Sequence, residues 1–218
     1  MARRKKRKVK YGRIILLLLI VCFISFLCIM AYDKLNVKKE PSAKKVKNIS
    51  TIKEYGYSLK ENATGYYKKL FKQLDSTLSK DDVSEEDYMN LVCQMFIADF
   101  FNLDNKISKN DVGGVQFVYK DYSSDFEKYA MDSIYKSVES NVYGNRRQEL
   151  PIVEEVTCFK VKSETFKYGD SSDEKAYVLD FDIKYKSDLG YQDSGSMVII
   201  HNDKKLEVAS MSTEKSSS

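Results

Sequence analysis

Histidine occurs once in these 218 residues, at position 201, and that scarcity removes whole classes of chemistry. A mixed Cys/His metal site needs several such residues at close spacing, and the four cysteines contain no CxxC pair. A Ser–His–acid triad would have to use His201, and no serine sits in a GxSxG elbow. The phosphate-cradling motifs are missing too. Neither GxxxxGK(S/T) nor GxGxxG occurs, so Gly113-Gly114 reads as a backbone turn that answers a demand for positive φ. No internal repeat is visible.

Acid is absent from residues 1–13, which hold eight bases: Arg3, Arg4, Lys5, Lys6, Arg7, Lys8, Lys10 and Arg13. The remainder has the opposite bias. Fourteen of the 36 basic and two of the 32 acidic residues precede Asn48, which leaves 22 against 30, a net of −8. A body of that sign repels polyanions, so nucleic acid is not an expected partner.

Only one stretch lacks charge over eighteen residues: IILLLLIVCFISFLCIMA, residues 14–31. At ~1.5 Å per residue it spans roughly 27 Å, the thickness of a hydrocarbon core. Tyr11 and Tyr32 flank it, where interfacial aromatics belong. The run exceeds the usual secretory apolar region of ~7–15 residues, and a cut after Ala31 would put bulky Ile29 at the −3 position. The expectation is an uncleaved signal anchor. The eight N-terminal bases then form a topogenic cluster that keeps the N-terminus cytoplasmic and can meet anionic lipid headgroups. Residues 32–55, charged and interrupted by Pro41, read as a stalk.

Residues 56–210 read as an extracytoplasmic α+β domain, and residues 211–218 as a disordered polar tail. Apolar residues at 3–4 spacing predict helices over 61–79, 84–101 and 124–139. Ser84-Glu-Glu-Asp87 is a capping box opening the second, which is apolar over so wide an arc that it should be the most buried. Ser123 or Ser124 should cap the third. VQFVY (115–119) looks strand-like. After Pro151 the period changes to two, and strands are expected over 152–168, 175–187, 196–201 and 205–209, with 169–173 a loop. In 175–187, Tyr177, Leu179, Phe181, Ile183 and Tyr185 fall on one face, with Asp180, Asp182, Lys184 and Lys186 on the other. Three helices on one face of a four-stranded antiparallel meander, with the other face solvated, is the natural packing.

The candidates for chemistry are few. Asp180 and Asp182 share a strand face, as acid/base carboxylate pairs must, and the same spacing suits a solvated face balanced by Lys184 and Lys186. His201 ends a strand. Cys93 and Cys158 either pair in an oxidising compartment or pack as small apolar residues. Asn48-Ile-Ser50 and Asn62-Ala-Thr64 match the glycosylation pattern, which matters only in a eukaryotic host.

The layout of basic tail, span 14–31, stalk, helices at 61–79, 84–101 and 124–139, then strands at 175–187, 196–201 and 205–209 resembles the VirB8-like components of bacterial conjugation and secretion machines. More broadly, it resembles the NTF2-like fold. The resemblance implies a non-catalytic extracytoplasmic domain without cofactors, which assembles with other envelope proteins or as a homo-oligomer. Two further readings stand beside it. One is an NTF2-like pocket for a small ligand or weak hydrolysis, with Asp180, Asp182 or His201 at its mouth. The other is a sensor that signals through the short basic tail.

Overall fold

The computed structural model describes residues 46–215. The span predicted over 14–31, the basic tail, residues 32–45 of the stalk and the last three residues lie outside them. Among the described residues no helix is long and apolar enough to cross a membrane. The architecture is α+β, with three helices and a four-stranded antiparallel sheet.

The chain begins with a hairpin, β1 (Asn48–Ile52) and β2 (Tyr57–Lys60), turned at Gly56. Folded structure therefore starts inside the stretch read as stalk. The strands are too short to show a period, but Ile52, Tyr57 and Leu59 are buried and anchor the hairpin to the core. Helix α1 (Gly65–Leu78) follows. The Thr64 hydroxyl accepts the Tyr67 N–H at 3.1 Å, satisfying one orphan donor of the first turn. Its buried stripe is Tyr67, Leu70, Phe71, Leu74 and Leu78.

Helix α2 (Glu85–Phe100) is capped by Ser84, which accepts the Asp87 N–H at 3.3 Å. Glu85, Glu86 and Asp87 fill its first turn, where the helix dipole favours anions. Ten of its residues are buried, which makes it the central helix of the core.

The expected strand at 115–119 is instead a 3₁₀ turn, Val115–Phe117. Gly114 at φ +77° throws the chain into it, and Phe117 stacks on Tyr57 at 5.0 Å between ring centroids. Only Val118 retains strand character, in a parallel bridge to Val208. Helix α3 (Lys120–Asp132) starts and stops earlier than its spacing predicted. Neither serine caps it: Tyr119 holds the N-cap position, and the Ser123 hydroxyl donates back to the Lys120 carbonyl. Ala130 is buried on the helix's inner face, while Tyr129 is 75% exposed.

The sheet order is β3 (Val153–Tyr168), β4 (Ser171–Tyr185), β5 (Ser194–Asn202), β6 (Lys205–Ser212), all antiparallel neighbours. The loop expected at 169–173 shrinks to a two-residue turn, with Tyr168 opposite Ser171 and Gly169 at φ +54°. Leu179, Phe181, Ile183, Met197, Ile199, Leu206 and Val208 join α2 in one core. The opposite face is solvated at Asp182 and Lys184, but Ala176, Val178 and Asp180 are buried, so it is not the uniformly wet surface the alternation predicted. The C-terminal tail is docked up to Lys215. Strand β6 runs to Ser212, the Ser196 hydroxyl donates to the Glu214 carbonyl, and Lys215 pairs with Asp182 at 2.7 Å. Cys93 of α2 and Cys158 of β3 form a disulfide, so of the two readings of these cysteines the paired one holds.

Candidate functional site

Register separates the three polar candidates. Asp182 faces Ser194 and Asp180 faces Ser196 across the β4–β5 ladder. His201 lies five residues further along β5, roughly 16 Å away at ~3.3 Å per residue. The structure therefore does not bring the three to one pocket mouth. Asp182 is half-exposed and paired with Lys215. Asp180 is 6% exposed and engaged in the sheet.

His201 instead meets two acids that sequence reasoning did not connect with it. Its Nδ1 lies 2.8 Å from an Asp173 carboxylate oxygen, which also accepts the His201 backbone N–H at 2.7 Å. Its Nε2 lies 2.5 Å from Glu85 Oε1 at the start of α2. The Tyr177 ring packs 5.1 Å away. Partial burial pulls the imidazole's pKa down, but the bonds and charges of Asp173 and Glu85 outweigh it, and the value is raised. The Glu85 value is lowered chiefly by its hydrogen bond to His201. With a carboxylate on each ring nitrogen, His201 has no free lone pair for a substrate proton. The arrangement is a charged clamp between the α2 N-terminus and the β4–β5 end of the sheet.

A cavity of about 330 Å³ opens elsewhere, between the β1–β2 hairpin, α1, the C-terminal end of α2 and the segment after it. Its floor is an ion pair, Asp99 to Lys106 at 2.5 Å, in which only 3% of the lysine side chain is exposed. Asp99 also accepts the Gly114 N–H at 2.8 Å. Burial alone would raise this carboxyl's pKa. Lys106, the Gly114 N–H and the charge of Lys60 overcome that and hold it below the usual range. Where Gly114 is needed for its positive φ, Gly113 is needed for space, because a Cβ there would lie 2.1 Å from the Asp99 carbonyl oxygen. The Gly-Gly pair is thus a backbone device, and what it builds is the bed for a buried carboxylate.

Around this floor stand further polar pairs. Lys60 and Asp111 are 2.8 Å apart. The Gln116 side chain acts as an extra strand beside β2, accepting the Ser58 N–H at 2.8 Å and donating to the Ser58 carbonyl at 3.2 Å, and its amide also donates to the Tyr67 hydroxyl at 2.8 Å. Asn62 and Asn105 each donate a side-chain amide to the other's backbone carbonyl, so the residue that begins the second glycosylation match is committed to structure. Apart from Gly113-Gly114, no linear signal marked this site, because its members come from five separate segments.

The third feature is an edge. Among the described residues strand β3 pairs only with β4, and residues 159–165 are exposed on both faces, with Phe159 and Val161 the large apolar members. Earlier in the same strand the edge is closed. The Tyr66 hydroxyl accepts the Val156 N–H at 3.0 Å, and Gln94 donates to the Val156 carbonyl at 3.2 Å. Among the described residues no group of three or more His, Cys, Asp or Glu is arranged to hold a metal ion. Comparison with family models, curated proteins and solved structures gives no match for this chain.

Proposed function

We propose that this chain is a single-pass membrane protein whose extracytoplasmic, NTF2-like domain is a non-catalytic assembly module of the kind found in VirB8-like envelope components. The observation that carries the reading is the open edge of β3. A strand that has a partner on one side alone among the described residues, and bears Phe159 and Val161 over its exposed stretch 159–165, is a template for strand addition. Lys160 and Lys162 beside them keep that edge soluble until a partner arrives.

Two other features support the reading. The Cys93–Cys158 disulfide suits an oxidising compartment outside the cytoplasm. The helix–sheet interface is packed with Phe96, Met95, Phe181 and Ile199, all fully buried, as a rigid assembly module would be. The small-ligand alternative, with Asp180, Asp182 or His201 at a pocket mouth, would have to rest on one of them alone, because the register keeps His201 apart from the two aspartates. The anchor would confine the domain at the membrane and raise its effective concentration for other envelope proteins or for a second copy.

The test is affinity capture of the full-length chain from detergent-solubilised membranes, read by mass spectrometry, for wild type and for a Phe159→Lys, Val161→Glu double variant. Envelope proteins recovered reproducibly with wild type should drop about tenfold or more with the variant, as expected when apolar anchors worth ~2 kcal/mol are removed. Equal recovery from both, or no specific recovery at all, refutes the edge as the assembly surface.

A further inference from the structure

We propose that the cavity beneath the β1–β2 hairpin binds a small molecule carrying a protonated amine. Its charged lining is two lysines, Lys60 and Lys106, against three acids, Asp99, Asp111 and Glu127. Both ammonium groups are already neutralised, Lys106 by Asp99 at 2.5 Å and Lys60 by Asp111 at 2.8 Å. The balance that remains is one negative charge, and it belongs to Glu127, which has no ion pair among the described residues.

The uncommitted hydrogen-bonding groups agree with that sign. Asn62 Oδ1 is a buried acceptor with no donor among the described residues. A buried carbonyl oxygen left unbonded costs about 1–3 kcal/mol, so this atom favours an occupant that donates. The Tyr67 hydroxyl accepts from Gln116, and its own proton is directed to no acceptor among the described residues. Tyr67 is itself 5% exposed. The unfilled capacity is therefore one carboxylate, one neutral acceptor and one hydroxyl donor.

The complementary ligand has an ammonium for Glu127 and Asn62, and a hydroxyl or carbonyl oxygen for Tyr67. About 330 Å³ suits a compact molecule at the small end of ligand pockets. Carboxylates and phosphates are disfavoured, because no lysine in the lining is free to receive them. This inference does not depend on the assembly reading, since the cavity lies away from the β3 edge and shares no residue with it.

Titration calorimetry on the full-length chain in mild detergent, with ethanolamine, ethylamine and glycolate as probes, tests it. Ethanolamine should bind saturably with one site per chain, ethylamine several-fold more weakly for want of the oxygen, and glycolate not at all. Glu127 is exposed, so Glu127→Gln should leave the melting temperature unchanged and weaken ethanolamine by about tenfold. Tyr67→Phe should erase the preference for ethanolamine over ethylamine. Absence of saturable ethanolamine binding overturns the proposal, as does glycolate binding equally well or a Glu127→Gln variant with unchanged affinity.

Discussion

Charges converge at two places in this domain, and the fold treats them in opposite ways. Around Asp99 the carboxylate is sunk beneath the hairpin with a nearly inaccessible lysine, a backbone N–H and a glycine that lets the chain come close. Around His201 two of the three charged groups reach the surface, with the Glu85 side chain 54% exposed and the imidazole 31% exposed over an Asp173 side chain that is 9% exposed. Separation from water makes the first pair hard to lose and the second easy. The buried pair fixes the path of residues 99–116. The surface trio ties one helix start to one sheet end and responds to the solvent's proton concentration.

The comparison breaks most visibly at Lys106. Lys106→Met leaves Asp99 without its counter-charge in a site that water reaches poorly, and should cost about 3 kcal/mol in urea unfolding at pH 7. Adding Asp99→Asn removes the stranded charge and should recover a large part of that loss. If the single variant costs less than about 1 kcal/mol, the pair is not insulated from solvent.

Gly113→Ala comes next. Its Cβ would sit 2.1 Å from the Asp99 carbonyl oxygen and 2.7 Å from the Lys106 ammonium, so the segment must shift or the pair must separate. The expected loss is about 1–3 kcal/mol, checked by the shift in urea midpoint at constant slope. A neutral outcome would show that the segment has slack which the close approach denies.

Most of the secondary structure was legible in the sequence, because the signals there are local. Ser84 caps α2 where the Ser-x-x-Asp spacing placed it, and the alternation from Tyr177 to Ile183 sorted the core face of β4 correctly. The misreadings came where tertiary contact decides. Val115–Phe117 has strand-forming side chains, yet Gly114 and the stacking of Phe117 on Tyr57 make it a turn. Residues 48–60 carry too short a pattern to reveal a hairpin, and only burial of Tyr57 against residues from elsewhere defines it. The sites were less legible still. Asp180 and Asp182 were neighbours in sequence but play separate roles. His201's partners lie 28 and 116 residues away, and no spacing rule reaches that far.

The smallest expected effect is at His201, and its sign follows from the directions of the shifts. The folded imidazole titrates above its ordinary ~6.5, so its contribution is complete below about pH 6.5 and fades as pH rises through the raised folded value. Glu85 and Asp173 titrate below their ordinary ~4, so theirs is present above about pH 4 and fades as pH falls through the lowered values. The clamp is strongest between, from about pH 4.5 to 6.5. Because the Glu85 and His201 side chains are substantially exposed, solvent screening holds the increment under about 1 kcal/mol. Tyr177 also faces Glu85, and burial together with that carboxylate pushes its hydroxyl up to about 12, so it leaves the slope to the histidine. His201→Gln keeps a polar side chain but cannot charge. Urea midpoints from pH 6 to pH 8 should therefore fall for wild type relative to the variant and converge at the alkaline end. Parallel midpoints across that range would mean that the imidazole is neutral in the fold and that proximity to two carboxylates does not charge it.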